Sequence, residues 1–125
     1  MTDESPRRGD FLMFTGIITN TGKFIRKEES IFTFNIDPTL CRKLKKGMSI
    51  AVNGTCLTVF KKPSKNSFSA EIMPETRNKT TLGYLKINDL VNLELPATPM
   101  TLLSGHIVQG HVDTVAKLTS IEKQG

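Results

Sequence analysis

The chain contains no tryptophan, one tyrosine and two cysteines among 125 residues. Few aromatics means few stacking platforms of the kind that single-stranded nucleic-acid binders use. The two thiols, Cys41 and Cys56, follow no metal-ligand spacing, so no metal site is expected. The N-terminus lacks the apolar region of a secretory signal, which predicts a cytoplasmic protein with free thiols rather than a disulfide. No apolar run approaches the length of a bilayer span, so a soluble protein without a membrane partner is expected. Acidic residues are outnumbered, 12 against 17 Lys and Arg, for a net charge of +5. Part of the excess is clustered at Arg42, Lys43, Lys45 and Lys46 and at Lys61, Lys62 and Lys65. Such clusters suit an anionic partner such as nucleic acid or phosphate. They fall at the ends of predicted elements without interleaved aromatics, and the preferred reading is a set of solvated turns with no nucleic-acid partner.

What is present is a chain long enough for one domain with a core, and one strong local signal. Asn53-Gly54 suits a type I′ hairpin turn, which needs positive φ at both central residues. Ile50 and Val52 precede it; Thr55, Leu57 and Val59 follow it. Period-2 alternation sets Ser49, Ala51, Cys56 and Thr58 apart as small or polar positions. These leave room for a ligand and supply groups to bond it, or else simply face solvent or a neighbouring sheet.

Around this hairpin the chain reads as short strands. Residues 1–12 are polar and charged and read as a disordered arm or an added segment. Phe14 to Asn20 is expected to be the first strand, with a bend or bulge at Thr21-Gly22 and extended chain resuming at Lys23. Ile31 to Ile36 is a strand. Asp37 and Pro38 are an N-cap and first helical residue for a helix from Thr39 to Lys45, closed by Gly47 in a left-handed conformation. Ser67 to Met73 is a strand, Glu75 to Thr81 a weak helical turn, and Leu90 to Leu95 the last strand of the unit. The pattern predicts an all-β fold: a six-stranded antiparallel Greek-key β-barrel with one or two short helices. Its expected core is Phe14, Ile18, Phe24, Phe34, Ile36, Leu44, Ile50, Val52, Leu57, Val59, Phe68, Leu82, Val91 and Leu93. Residues 13–96 form this barrel and 97–104 read as a linker. Residues 105–125 resemble the chain's own beginning: Gly110 to Leu118 can be laid under Gly16 to Phe24, with Gly and Lys in register. This suggests an internal repeat and the first hairpin of an incomplete second barrel.

Four motifs then carry a resemblance. Met13-Phe14-Thr15-Gly16-Ile17-Ile18 and the hairpin Ser49 to Val59 resemble segments of riboflavin synthase of the α-subunit type. So do Met73-Pro74-Glu75-Thr76 followed by Lys79-Thr80-Thr81-Leu82-Gly83, and Gly105-His106-Ile107-Val108-Gln109-Gly110-His111-Val112-Asp113. The resemblance covers Met13 to about Leu118. It implies two homologous lumazine-binding barrels, a homotrimer, and an active site between the first barrel of one subunit and the second of its neighbour. The implied reaction is dismutation of two 6,7-dimethyl-8-ribityllumazine molecules to riboflavin and 5-amino-6-ribitylamino-uracil, with no metal and no separate cofactor.

Carried over by position, Phe14, Gly16, Ile17 and Ile18 would line the substrate from the first strand. Cys56, Leu57 and Thr58 would touch the pteridine. Glu71, Ile72, Met73, Pro74, Glu75 and Thr76 would reach ring and ribityl groups, and Gly110, His111 and Val112 would contribute from the junction. Ser49, Cys56, His106 and His111 match positions tied to catalysis. Other readings stand beside these. Cys56 also reads as a small buried residue, His106 and His111 as organisers of the junction, Ser49 and Thr58 as substrate binders, and Glu75 as a turn cap. Ser104-Gly105 replaces the usual glycine pair. With most of a second barrel absent before Gly125, the chain is expected to supply half a site. Its last hairpin is expected to pair with another chain or pack on the first barrel, as a homo-oligomer, with a dimer as the alternative to the trimer. The competing functions are a non-catalytic lumazine- or flavin-binding module and a basic nucleic-acid-binding barrel.

Overall fold

The computed structural model describes residues 14–97 and 112–124. Six strands form one antiparallel sheet: β1 (Asn20–Glu28), β2 (Ile31–Asn35), β3 (Ser49–Val52), β4 (Thr55–Thr58), β5 (Ser67–Glu71) and β6 (Leu90–Glu94). Their order is β4-β3-β6-β1-β2-β5. Two hairpin pairs, β3–β4 and β1–β2, are thus joined through β6, and β5 pairs with β2. A bridge between Val59 and Ala70 and a bond from Phe60 N to Ser69 O (2.8 Å) join the two outermost strands, so the sheet closes on itself as a barrel. Closure removes the exposed edges that an open sheet would present.

The short elements sit in the connections. Asp37 accepts from Thr39 N (3.3 Å) and caps α1 (Pro38–Cys41), as its sequence predicts. This helix is shorter than the expected Thr39 to Lys45. Lys43 N already turns back to Leu40 O (2.9 Å), and Gly47, at φ +86°, serves the turn into β3 rather than capping the helix. The α2 helix (Pro74–Lys79) and a 3₁₀ turn (Thr81–Tyr84) link β5 to β6.

The interior is aromatic and aliphatic. Phe34 stacks on Phe68 with ring centroids 5.2 Å apart, and Phe24 on Phe32 at 5.3 Å. Ile36, Ile50, Val52, Leu57, Val59, Val91 and Leu93 complete it, while Leu40 and Leu44 enter beside α1 and Leu82 from the 3₁₀ turn. Phe32, Leu40, Cys41, Ala70 and Ile72 also belong to this cluster, which strand alternation did not pick out. Cys41 and Cys56 are free thiols.

The first stretch departs from expectation. Residues 15–19 form no strand, and β1 begins at Asn20 and runs unbroken through Thr21-Gly22. The irregularity falls later, between Phe24 and Arg26. Gly22 is small for packing: a Cβ there would lie 3.0 Å from Ile36 Cγ2 and from Leu93 Cδ1. Ile18, expected in the core, is 47% exposed because it precedes the strand and lies outside the barrel's alternation. Residues 112–124 adopt neither strand nor helix and are exposed. The first part of the expected final hairpin, residues 105–111, lies outside the described residues.

Candidate ligand site on the outer face of the hairpin

The turn Asn53-Gly54 has φ +49° and +80°, the geometry its sequence demands. Asn53 is further fixed to β6: Asn92 N donates to its Oδ1 (2.7 Å), and its own N–H donates to Asn92 O (2.8 Å). The register pairs Ser49 with Thr58, Ile50 with Leu57, Ala51 with Cys56 and Val52 with Thr55. Ile50, Val52 and Leu57 turn into the barrel. Ser49, Ala51, Cys56 and Thr58 therefore lie together as one patch on the opposite face of the sheet, where Ser49 and Ala51 are buried and Cys56 and Thr58 half-buried.

Cys56 is half-buried in this patch. Burial pushes its thiol above the ordinary value, and a hydrogen bond with Ser49 pulls it back only in part. At neutral pH the group is a protonated thiol, suited to filling space or donating weakly rather than acting as a resting thiolate nucleophile.

On one side of the patch lies β6, where Ala51 pairs with Glu94. Cys56, Ala51 and Glu94 thus form a row across three adjacent strands. Glu94 is buried, and its Oε2 accepts from Thr15 N (2.7 Å), Gly16 N (3.2 Å) and Thr15 Oγ1 (3.2 Å). The following residues, Ile17 and Ile18, are exposed apolar groups beside this anchor.

On the other side, the chain after β5 runs into α2. A cleft of about 280 Å³ opens here, lined by Thr55, Cys56, Glu75, Thr76, Lys79, Thr80, Val112 and Asp113. Lys79 Nζ lies 2.8 Å from Glu75 Oε1. That hydrogen bond and the lysine charge hold the exposed Glu75 carboxyl below its usual range. Thr80 Oγ1 donates to Thr76 O (2.7 Å) and accepts from Leu82 N (3.3 Å), fixing the step from α2 into the 3₁₀ turn. Gly83 permits the close contact of those two elements, since a Cβ there would stand 2.5 Å from Arg77 O.

The expected site residues divide into groups. Cys56, Glu75, Thr76 and Val112 line the cleft together. Ser49 and Thr58 flank Cys56 on the same face. Pro74 opens α2, and Met73 before it is 56% exposed. Phe14, Leu57 and Ile72 point into the protein, at 1%, 4% and 0% exposure, so contact with a ligand through these residues would have to involve backbone. Glu71 pairs with Ile31 and accepts from Ser30 Oγ (3.4 Å); it does not line the cleft. His106, Gly110 and His111 lie outside the described residues. Thr55, Lys79, Thr80 and Asp113 line the cleft but are absent from the expected set. The spacing of Lys79 four residues after Glu75 is a helical pairing signal that could have found one of them. Among the described residues no three His, Cys, Asp or Glu side chains form a group able to hold a metal.

Comparison with known proteins settles the family. The model of the lumazine binding domain matches residues 15–96. The chain belongs to the lumazine-binding domain family. Riboflavin synthase of Photobacterium phosphoreum is 42% identical over 117 residues, covering 90% of this chain and 53% of that protein. Riboflavin synthase of Schizosaccharomyces pombe is 40% identical, over 90% of this chain and 56% of its own. The chain thus spans about half the length of the curated relatives it matches. Among solved structures, LumP complexed with riboflavin superposes with a TM-score of 0.59 at 27% identity, over 66% of this chain and 46% of that one. LumP complexed with 6,7-dimethyl-8-(1'-D-ribityl) lumazine gives 0.58 at 26%, over 67% and 49%. This lumazine-binding barrel has no helix, among its described residues, long and apolar enough to cross a membrane.

Proposed function

We propose that this chain is a lumazine-binding barrel of a riboflavin synthase, and that the outer face of the β3–β4 hairpin is one wall of its substrate site. The observation that carries this reading is the patch of Ser49, Ala51, Cys56 and Thr58 beside the Glu75–Thr80 cleft. A flat heterocycle fits against small side chains, while hydroxyl and carboxylate groups at the edge suit a pyrimidine ring and a ribityl chain. The cleft, at about 280 Å³, is at the small end for one ligand and too small for two stacked heterocycles. A second wall is needed, and we assign it to a second barrel from another copy in a homo-oligomer, a trimer in the complete enzyme.

The reaction is the transfer of a four-carbon unit from one 6,7-dimethyl-8-ribityllumazine to another, giving riboflavin and 5-amino-6-ribitylamino-uracil in riboflavin biosynthesis. The 7-methyl protons of the substrate are acidic because the ring delocalises the anion, so positioning two rings face to face is the main demand on the protein. Modest proton transfer completes it. Ser49 and Cys56 contribute from this wall, His106 and His111 from the junction, and Gly16, Ile17, Ile18, Met73, Glu75 and Thr76 hold substrate. No metal or separate cofactor takes part. The setting is cytoplasmic, with no nucleic-acid partner.

A second reading, a lumazine- or flavin-binding module without turnover, is favoured by the likeness to LumP complexed with ribityllumazine and with riboflavin. Incubation with 6,7-dimethyl-8-ribityllumazine, followed by absorbance and fluorescence, separates the two. Riboflavin formation supports the enzyme. Saturable binding without product, in a chain carrying both barrels, supports the module. Absence of any binding sinks both.

A further inference from the structure

Glu94 is a carboxylate on the outer face of the barrel that is nonetheless only 6% exposed. The pairing of Ala51 with both Cys56 and Glu94 puts it in the same row as the thiol, two strand spacings or about 10 Å away. Its Oε2 receives two successive backbone amides, from Thr15 (2.7 Å) and Gly16 (3.2 Å), together with the Thr15 hydroxyl (3.2 Å). Successive N–H groups converge on one anion where a right-handed residue is followed by a left-handed one, or in a comparable turn. Gly16 supplies that turn at φ +81°, and nothing lies within 4 Å of where its Cβ would be, so conformation rather than space accounts for the glycine. Thr15 Oγ1 then accepts from Ile17 N (3.3 Å) and carries the turn on to the exposed Ile17 and Ile18.

We infer that Glu94 is a positioning residue: its carboxylate fills a nest formed by Thr15 and Gly16 and thereby sets Ile17 and Ile18 as the apolar wall of the ligand site. This rests on the site reading above. The device also ties the start of the barrel to the end of its last strand. Phe14 is buried in a β-bridge at one end of this segment and Thr19 N donates to Leu93 O (3.2 Å) at the other; between them the three bonds to Glu94 Oε2 fix Thr15 and Gly16.

The test uses the full chain with Glu94→Gln, Glu94→Leu and Gly16→Ala. In Glu94→Leu the Thr15 and Gly16 amide protons should move upfield and exchange about tenfold faster or more, as expected for loss of charge-assisted bonds. Glu94→Gln should fall between it and the parent. The dissociation constant for 6,7-dimethyl-8-ribityllumazine, measured well below the melting temperature of each variant, should rise about tenfold, while the amide spectrum away from residues 15–18 stays close to the parent's. A purely structural residue would leave the affinity per folded molecule unchanged, whatever the melting temperature does, and that outcome overturns the inference. Unaltered Thr15 and Gly16 amides overturn it equally. If Glu94→Leu does not fold, Gly16→Ala breaks the nest from the other side with the carboxylate in place and the same amide changes are required, while the affinity change is read on Glu94→Gln, which leaves Gly16 untouched. If the parent chain binds no lumazine, the site reading fails and takes the ligand-wall assignment with it, while the amide shifts still decide whether the nest exists.

Discussion

The two faces of the β3–β4 hairpin are built from different materials. The inner face carries Ile50, Val52 and Leu57, packed with the aromatic cluster of Phe24, Phe32, Phe34 and Phe68. The outer face carries Ser49, Ala51, Cys56 and Thr58. Both faces hang on the same backbone hydrogen bonds, so the difference lies wholly in the side chains. The inner face gains stability in proportion to the apolar area it buries. The outer face gives up much of that gain and holds small and polar groups, with a cleft beside it. One face specifies the barrel; on the other, Ser49 and Ala51 are covered and Cys56 and Thr58 are left partly open beside the cleft.

If that division is right, the largest effect on stability comes from the inner side. Phe34 is 0% exposed and packs on two rings, Phe68 at 5.2 Å and Phe24 at 5.7 Å. Phe34→Ala should destabilise the fold by about 3–5 kcal/mol, read from chemical denaturation. A loss near zero would mean that the aromatic cluster is not what holds the barrel, and the comparison would collapse.

Gly83→Ala probes the boundary between the two. The new Cβ would meet Arg77 O at 2.5 Å, a backbone atom that moves only with α2. The expected cost is about 1–3 kcal/mol from overpacking. Because α2 carries Glu75, Thr76 and Lys79, lumazine affinity should fall with it. Denaturation and fluorescence titration on the same sample check both. A stability loss with unchanged affinity would detach the cleft from the ligand site.

Much of the inner face was legible in the sequence because period-2 alternation is a direct consequence of the pleat. The Asn53-Gly54 turn was legible for a similar reason, since only certain residues tolerate its φ values. Ile18 was misplaced because alternation was extended into a segment that precedes β1 and turns at Thr15 and Gly16, where Glu94 holds it. Gly22 was read as a bend because a sequence cannot distinguish a glycine needed for φ from one needed for space; the approach of Ile36 and Leu93 is a tertiary fact. Ile72 and Leu57 follow the same logic. Leu57 lies inside one of the site motifs and Ile72 directly before another, yet both side chains belong to the core. Glu94 gave no local signal, because one acidic residue alternating with Asn92 on a last strand looks like any solvated edge.

The smallest effect on stability should come from the outer face, at Cys56. Its thiol is raised above the ordinary value by burial, against the opposing hydrogen bond with Ser49. The folded state therefore keeps this proton at a pH where the unfolded chain has begun to lose it. The resulting contribution is fully present below the unfolded thiol's pKa, about 8.5, and is lost as pH rises through the folded value. Denaturation of the parent chain should accordingly show stability falling with pH above that range more steeply than in Cys56→Ala. The lysines are common to both proteins and cancel in the difference. At neutral pH the two should be nearly equally stable, and the parent should react slowly with iodoacetamide at this position, as a protonated, half-buried thiol does. Lumazine affinity should nevertheless drop in Cys56→Ala, because the patch loses a group in contact with the cleft without losing core. Superimposable pH profiles would remove the electrostatic account of Cys56. A large stability loss at neutral pH would place the residue with the inner face and erase the contrast between the two sides of the hairpin.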